Sequence, residues 1–404
     1  MPGPSASLKC IDCGALLPPD PRVYACNRCG GLLDVQLSWD SVPALSWGLF
    51  LSRPRGVWRY RELLPADPSL AVSLGEGGTP LLESPRLARW VGVSRLYLKY
   101  EGANPTGSFK DRGMTVGVTK ALEAGARMVC CASTGNTSAS MAAYAARAGL
   151  DAVVFLPRHG VALGKLAQAA LHGARLVEVD GGFDQALRAV VEVCRRAPIY
   201  LLNSVNPWRL EGQKTGAYEL AEELREGFDL LALPVGNCGN IAAYWKGFSE
   251  LHEAGLIRWR PRLLGVQAEG AAPLVQMLRS GSDTLVPVRE PRSIATAIRI
   301  GHPASWKKAR RAILESRGSA VAVSDREILE AQWAIARLAG LGVEPAGAAS
   351  VAGLRRSVEL GETGADTTAV AVLTGHALKD PDAARMAPLS RITLEAFLRE
   401  LPAR

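Results

Sequence analysis

Asn104-Pro105-Thr106-Gly107-Ser108-Phe109-Lys110-Asp111-Arg112-Gly113 lies where an apolar run ends and a helical pattern begins. Leu96 to Lys99 before it reads as a strand, and residues 108 to 124 read as a helix. Ser108 and Asp111 fit the Ser-x-x-Asp start signal, so Ser108 is the expected N-cap. A lysine in the first turn meets the positive end of the helix dipole, which disfavours its cation and lowers its pKa. A lysine tuned this way can form a Schiff base with a carbonyl compound. Taken alone, Lys110 reads more plainly as a solvated lysine at a helix N-terminus.

Outward from this stretch the chain alternates. Strands are expected at Met128 to Cys131, Ala152 to Leu156 and Arg175 to Val179, with helices at 136–148, near 162–172 and at 183–196. After Tyr200 come a helix at 211–226, a strand at 229–235, a helix at 240–255 and a strand at 262–268. Repeated βα units predict parallel sheets covered by helices. The expected fold class is α/β, with two parallel-sheet domains and a ligand in the cleft between them, where sites lie at the carboxyl ends of strands. The smaller domain is expected at 94–204 and the larger at 41–93 with 205–404. Trp39, Trp47, Trp58 and Tyr60 are expected to pack the segment 41–93 onto the body.

At 404 residues the chain is long enough for two or three domains. Its formal charge of +8 suits an anionic substrate as well as a nucleic acid or a membrane surface. The basic residues are scattered, and the cluster Lys307 to Arg311 lies on a helical pattern without aromatic interleaving, so no nucleic-acid partner is expected. No membrane partner is expected either, because no apolar run is long enough to span a bilayer. No signal segment is read at the start, and the expected location is the cytoplasm.

Residues 1–40 hold Cys10-x2-Cys13 and Cys26-x2-Cys29, each pair followed by glycine. Paired knuckles place four thiolates around one point, the geometry of a closed structural zinc site, with an empty or oxidised ribbon as the alternative. Cys130, Cys131, Cys194 and Cys238 read as small core residues.

Four further stretches carry chemistry. Ser133-Thr134-Gly135-Asn136-Thr137-Ser138 brings hydroxyls to a helix start, an anion site or a plain cap. Asn203 to Lys214 sets Arg209 and Lys214 beside amide side chains, which can hold a phosphate monoester or simply line a surface loop. Gly236-Asn237-Cys238-Gly239-Asn240 follows a strand and opens a helix, so its backbone can approach a phosphate. Thr374-Gly375-His376 ends an apolar strand with a hydroxyl able to meet a ring nitrogen.

Pro105 to Gly113 resembles the lysine motif of threonine synthases, in the tryptophan-synthase-β-like (fold type II) family of pyridoxal 5'-phosphate enzymes. The other stretches resemble that family's motifs in the same order, and Cys238 replaces the usual Ala. Glu76 to Leu81 and Glu344 to Ser350 resemble two more of its segments, the second lining the cofactor pocket. The resemblance implies that Lys110 carries the cofactor and acts as acid and base. It implies that Asn136 meets the ring hydroxyl, residues 236–240 hold the cofactor phosphate and Thr374 meets the ring nitrogen. Ser133, Thr134 and Thr137 would hold the substrate's carboxylate or phosphate, and Asn203 and Arg209 its phosphate. The implied reaction converts O-phospho-L-homoserine and water to L-threonine and phosphate, and family habit implies a homodimer. Cysteate synthesis from O-phosphoserine and sulfite is the nearest alternative. A non-catalytic binding or regulatory protein on the same fold is the alternative of another class.

Overall fold

Leu96 and Leu98 flank the partly exposed Tyr97, and both are fully buried in a cluster with Leu230, Ala232, Leu264 and Val321. That burial draws Arg95–Tyr100 (β5) into the chain's larger sheet, one strand in from its edge. The computed structural model describes residues 3–133, 135–157, 163–180, 190, 192–194, 198–381 and 393–400.

The larger sheet has six strands in the order β12-β11-β10-β13-β5-β4: Ser319–Val323 (β12), Arg262–Ala268 (β11), Leu230–Pro234 (β10), Thr368–Leu373 (β13), β5 and Leu81–Glu83 (β4). All are parallel except the edge strand β4, which runs antiparallel to β5. Leu230-Leu231-Ala232-Leu233 and Ala369-Val370-Ala371-Val372-Leu373 are buried on both faces, as a helix-covered parallel sheet requires. The smaller sheet is wholly parallel, in the order β8-β7-β6-β9: Arg175–Val179 (β8), Asp151–Pro157 (β7), Met128–Ala132 (β6) and Ile199–Leu201 (β9).

The α/β architecture with two parallel sheets is as expected. One strand is placed differently: β5 was expected in the domain 94–204, yet it pairs with β13 from Arg95↔Thr368 to Tyr100↔Leu373. Its two leucines fill the larger core, so the passage to the smaller sheet comes after it. Helix Lys110–Glu123 makes that passage, packing Met114, Val118 and Ala121 with Val129, Met141 and Tyr200. The single helix expected at 211–226 is two, Trp208–Gln213 and Thr215–Glu223, meeting at Lys214. The expected helix at 183–196 lies largely outside the described residues.

The N-terminal unit is a three-stranded antiparallel sheet of Ala6–Cys10 (β1), Leu16–Leu17 (β2) and Leu33–Leu37 (β3), in the order β2-β1-β3. The following segment is pinned as expected. Trp47 Nε1 donates to the Leu256 carbonyl at 3.2 Å, Trp58 Nε1 to Thr115 Oγ1 at 2.7 Å, and the buried Tyr60 hydroxyl to Glu222 at 3.0 Å. Trp39 packs against the cluster that holds Phe50 and Tyr60. Among the described residues no helix is long and apolar enough to cross a membrane.

Candidate active site

The strands β10, β13 and β5 are neighbours and parallel, so the loops after Pro234, Leu373 and Tyr100 leave the same edge of the larger sheet. The loop after Tyr100 leads to Lys110. It turns at Gly107, whose φ of +84° suits glycine, and it is sewn to the loop after β13. His376 N donates to the Gly107 carbonyl at 2.9 Å, and Phe109 N donates to the Thr374 carbonyl at 3.0 Å. Lys110 is the first residue of its helix, and its Nζ stands 4.1 Å from the Phe109 ring centre. Among the described residues no group hydrogen-bonds that amine. Loss of solvation and then the Arg209 charge push its pKa down, with Glu344 opposing, to about 7.

Ser108 does not cap this helix. Its backbone is drawn into a bridge with Gly375, and its buried Oγ has no partner among the described residues. Asp111 holds the turn instead, accepting from Thr106 N at 2.7 Å, Thr106 Oγ1 at 2.6 Å and Ser140 Oγ at 2.5 Å. Arg112 locks the helix from beneath. Its Nε donates to Glu101 at 2.7 Å, its Nη1 to Glu219 at 2.7 Å and its Nη2 to Thr79 Oγ1 at 3.0 Å. These groups are buried and mutually satisfied, so they fix the position of Lys110 rather than react.

Asn136 opens the 13-residue helix Asn136–Ala148 at the carboxyl end of β6. No side chain caps this helix start, which leaves N–H groups for an anion. Ser133 Oγ accepts from Gly135 N at 3.3 Å, and Thr137 is partly exposed in the first turn. Thr134 lies outside the described residues. Asn136 Nδ2 donates to both Glu344 oxygens at 3.1 Å. Glu344 is buried, and burial raises its pKa against the pull of Asn136, Lys379 and Lys110. A Cβ on Gly375 would collide with that carboxylate.

The loop Gly236 to Asn240 forms a cup at the carboxyl end of β10 and starts the 15-residue helix Gly239–Glu253. Cys238 takes a left-handed φ of +66°, and the helix has no side-chain cap. Asn237 is tied down: its Nδ2 donates to Ser204 Oγ at 3.2 Å, and its Oδ1 accepts from Ala304 N at 3.1 Å. Asn240 Nδ2 is buried without a partner among the described residues. A Cβ on Gly236 would press on Ile298 and Ala297, whereas a Cβ on Gly239 would meet no atom within 4 Å. Thr374 is buried beside Gly347, with its carbonyl taken by Phe109 N.

Arg209 sits on the short helix Trp208–Gln213 and is 2% exposed. Its Nε and Nη2 are buried with no partner among the described residues, and burial brings its pKa down to about 10. An unpartnered buried guanidinium is costly, and an anion removes that cost. Glycines admit it to the site. A Cβ on Gly113 would stand 2.7 Å from the Arg209 carbonyl, one on Gly117 would press on the Arg209 side chain, and one on Gly212 would overlap the Arg112 carbonyl. Asn203 bonds twice to Ala132, accepting from its N at 2.8 Å and donating to its carbonyl at 2.9 Å. That pair joins the ends of β9 and β6 and leaves one Asn203 amide hydrogen over.

The four ribbon cysteines form the only group of metal-ligating side chains among the described residues. Their sulfurs lie within 4.8 Å of one another, with Cys10–Cys29 at 3.5 Å and Cys13–Cys26 at 3.7 Å. Tetrahedral ligands about 2.3 Å from zinc stand roughly 3.8 Å apart, so the cluster has the size of a closed four-thiolate site. Burial disfavours the Cys10 thiolate, but the Cys13 and Asp12 N–H groups and neighbouring thiols bring its pKa to about 7. At Cys29 the Gly31 N–H favours the thiolate, but the other cysteines outweigh it and push the thiol to about 12. Sulfurs this close cannot all ionise without a cation among them.

Two charged groups here were not singled out in the sequence. Glu344 was visible only as part of a small-residue helix start. Lys379 donates to Gln168 Oε1 at 2.5 Å, and burial lowers its pKa against the pull of Glu344 and Asp111. The flanking Gly-His-Ala-Leu-Lys-Asp run carried its only signal.

Pyridoxal phosphate needs an amine, a phosphate cradle and polar partners for its ring. Among the described residues the Lys110 amine, the Asn240 amide and the Ser108 hydroxyl have no hydrogen-bond partner, the cup is open at Gly239 and Thr374 is buried, so the residues fit.

Residues 72–375 match the model of a family described as pyridoxal-phosphate dependent enzyme. The chain is 52% identical over 375 residues to a threonine synthase of Methanosarcina acetivorans, covering 93% of this chain and 92% of that one. It is 50% identical over 396 residues to a threonine synthase of Methanocaldococcus jannaschii, covering 97% and 98%. Among solved structures, a processed threonine deaminase isoform 2 from Solanum lycopersicum superimposes with a TM-score of 0.67 at 22% identity, covering 83% of this chain and 96% of that one. Maize serine racemase superimposes with a TM-score of 0.63 at 20% identity, covering 80% and 90%. At such identities the two structures speak for the fold alone, which is fold type II.

Proposed function

The chain belongs to the pyridoxal-phosphate-dependent enzyme family, and we propose that it is a threonine synthase, a lyase that converts O-phospho-L-homoserine and water to L-threonine and phosphate. Two threonine synthases at 50% and 52% identity over more than nine-tenths of the chain support this reading. One observation within the site carries the choice of substrate. Arg209 is a buried guanidinium with two nitrogens that have no partner among the described residues, and its charge acts on Lys110. The reaction needs an anion held beside that lysine.

When bound, pyridoxal phosphate supplies the electron sink that lets bonds at the substrate's α and β carbons break. Everything else falls to the chain. Lys110 Nζ would hold the cofactor, and its amine would move protons at the substrate's α, β and γ carbons. A pKa near 7 leaves the amine able both to take and to give a proton at neutral pH. Gly236 to Asn240 would hold the cofactor phosphate with backbone N–H groups at the start of a long helix. Asn136, which now bonds Glu344, would meet the ring hydroxyl of the bound cofactor, and Thr374 would meet its ring nitrogen. The uncapped start of Asn136–Ala148, with Ser133, Thr134 and Thr137, holds the substrate carboxylate. Arg209, with the remaining amide hydrogen of Asn203, holds the phosphate as the Cγ–O bond breaks. Water then adds at the β carbon. The ribbon cysteines hold a structural zinc ion, with no ligand position left for chemistry. A cytoplasmic homodimer completes the reading, and sedimentation at assay concentration checks the dimer.

Arg209→Lys tests the substrate assignment. Loss of a charge-assisted bond to phosphate costs about 1.5–3 kcal/mol, or roughly ten- to hundredfold in specificity. The ratio of phosphohomoserine to unphosphorylated threonine turnover should fall by that factor, with cofactor content unchanged. An unchanged ratio would remove Arg209 from the substrate site.

A further inference from the structure

Arg209 stands on a helix of six residues, too short to hold its own conformation. Its neighbours are anchored to the N-terminal ribbon. Trp208 is fully buried and closes the ribbon's core with Leu8, Cys10, Cys26, Leu33 and Val35. The other side of the short helix lies on the Lys110 helix, where Gly113 and Gly212 let the two backbones meet, and Lys120 Nζ lies 4.4 Å from the centre of the indole. Glu211, one residue beyond Leu210, pairs with Lys246, and Lys246 Nζ also donates to the Val35 carbonyl of β3 at 2.6 Å. Trp208 and Glu211 therefore clamp Arg209 from both sides of the turn.

The ribbon also reaches the smaller sheet and, in the larger domain, the helix Trp306–Glu315. Tyr24 stacks edge-on against Tyr200 at 5.8 Å, and its hydroxyl accepts from Leu201 N at 3.1 Å, two residues before Asn203. On the larger domain Asp34 meets Lys308 at 2.5 Å and Arg311 at 2.9 Å. A cavity of 320 Å³ along this seam is lined by charged groups including Asp34, Lys246 and Lys308. The apolar contact with Trp208 is thus the tight part of the junction, and two of the four metal-ligating sulfurs, those of Cys10 and Cys26, lie within it.

We propose that the four-cysteine ribbon is a positioning device for the substrate-phosphate site: metal held by Cys10, Cys13, Cys26 and Cys29 fixes Trp208, and Trp208 with Glu211 fixes the Arg209 guanidinium. The inference rests on the reading that Arg209 takes the substrate phosphate. A ribbon without its metal loosens the face that Trp208 fills, and the guanidinium loses its aim while Lys110 and the cup keep theirs.

The test uses enzyme loaded with pyridoxal phosphate, so that the cup is filled and added inorganic phosphate reports on the Arg209 site. Five samples are compared: wild type, wild type stripped by a zinc chelator, Trp208→Ala, Trp208→Phe and Lys246→Met. Amide exchange over 208–213, the Kd for inorganic phosphate, and KM and kcat for phosphohomoserine are read for each. Stripping and Trp208→Ala should each raise phosphate Kd and KM by roughly tenfold or more, with kcat changed less and cofactor absorbance unchanged. Exchange over 208–213 should quicken, zinc should reverse the stripping, and Trp208→Phe should recover most of the loss. Lys246→Met, which keeps the apolar seam, should give a smaller change of the same kind and serves if Trp208→Ala does not fold. Unchanged phosphate Kd in the stripped and Lys246→Met proteins overturns the proposal. Arg209→Lys separates the two readings. If it leaves phosphate Kd unchanged, the role of Arg209 fails; if it weakens phosphate and the ribbon changes do not, only the positioning role fails.

Discussion

Lys110 is set apart from the other lysines by what surrounds its amine. Among the described residues no acceptor holds the proton, loss of solvation disfavours it, and Arg209 repels it, so the pKa falls from the ordinary 10.5 to about 7. A lowered pKa means the reactive neutral amine is present at lower pH. In cofactor-stripped protein the rate of covalent capture of pyridoxal phosphate should therefore rise with a midpoint near 7, not near 10.5. Arg209→Ala removes the like charge and should move that midpoint upward. Lys110→Ala should abolish the label left by borohydride reduction, and a label mapped to another lysine would contradict the assignment. Cys238 is the residue-scale oddity of the cup. Its left-handed φ of +66° costs a non-glycine residue roughly 1 kcal/mol. Cys238→Gly should raise the melting temperature slightly and keep cofactor affinity, while Cys238→Val should lower both, because a β-branched side chain tolerates that φ worst.

At the scale of elements, the decisive contact is the crossing of helix Lys110–Glu123 with helix Trp208–Gln213. Gly113 and Gly212 carry no side chain where the backbones meet. Gly212→Ala would place a Cβ on the Arg112 carbonyl and force the helices apart. Overpacking of this kind costs about 1–3 kcal/mol, and KM for phosphohomoserine should rise more than kcat falls because Arg209 moves with its helix. A lowered melting temperature with an unchanged KM would count against the coupling. This crossing also marks where sequence legibility ended. The βα alternation and the cup were readable, because buried parallel strands and glycine-rich turns leave local patterns. The placement of β5 was not, since Leu96 and Leu98 could have filled either core and only their pairing with β13 decides. Ser108 looked like a cap because it sits three residues before Asp111. A long-range bridge to Gly375 overrode that local preference. Glu344 and Lys379 gained their importance from partners at Asn136 and Gln168, more than 200 residues away in sequence.

At the scale of the whole molecule, buried charge holds the frame on which Lys110 sits. Burial opposes ionisation of Glu219, but Arg112 and Lys99 outweigh it and hold its pKa well below the ordinary 4.5. A depressed folded pKa contributes stability that is present above 4.5 and is lost progressively as pH falls below it. Urea unfolding should show that loss below about pH 4.5. Glu219→Gln should flatten the acid limb while costing about 3–5 kcal/mol at neutral pH, because Arg112 is left buried with a missing partner. The sequence resemblance pointed to the chemistry; Lys110 and the cup follow strands of the larger sheet, and Arg209, on a helix that follows the smaller one, acts on Lys110 through its charge. The claim that joins them is that the Cγ–O bond of phosphohomoserine breaks and that water enters at the β carbon. Turnover of O-phospho-L-homoserine in ¹⁸O-water tests this most directly. The account predicts L-threonine with the label in its side-chain hydroxyl and inorganic phosphate without label. Labelled phosphate with homoserine as the product, or no turnover of phosphohomoserine by fully loaded enzyme that makes cysteate from phosphoserine and sulfite, would contradict it.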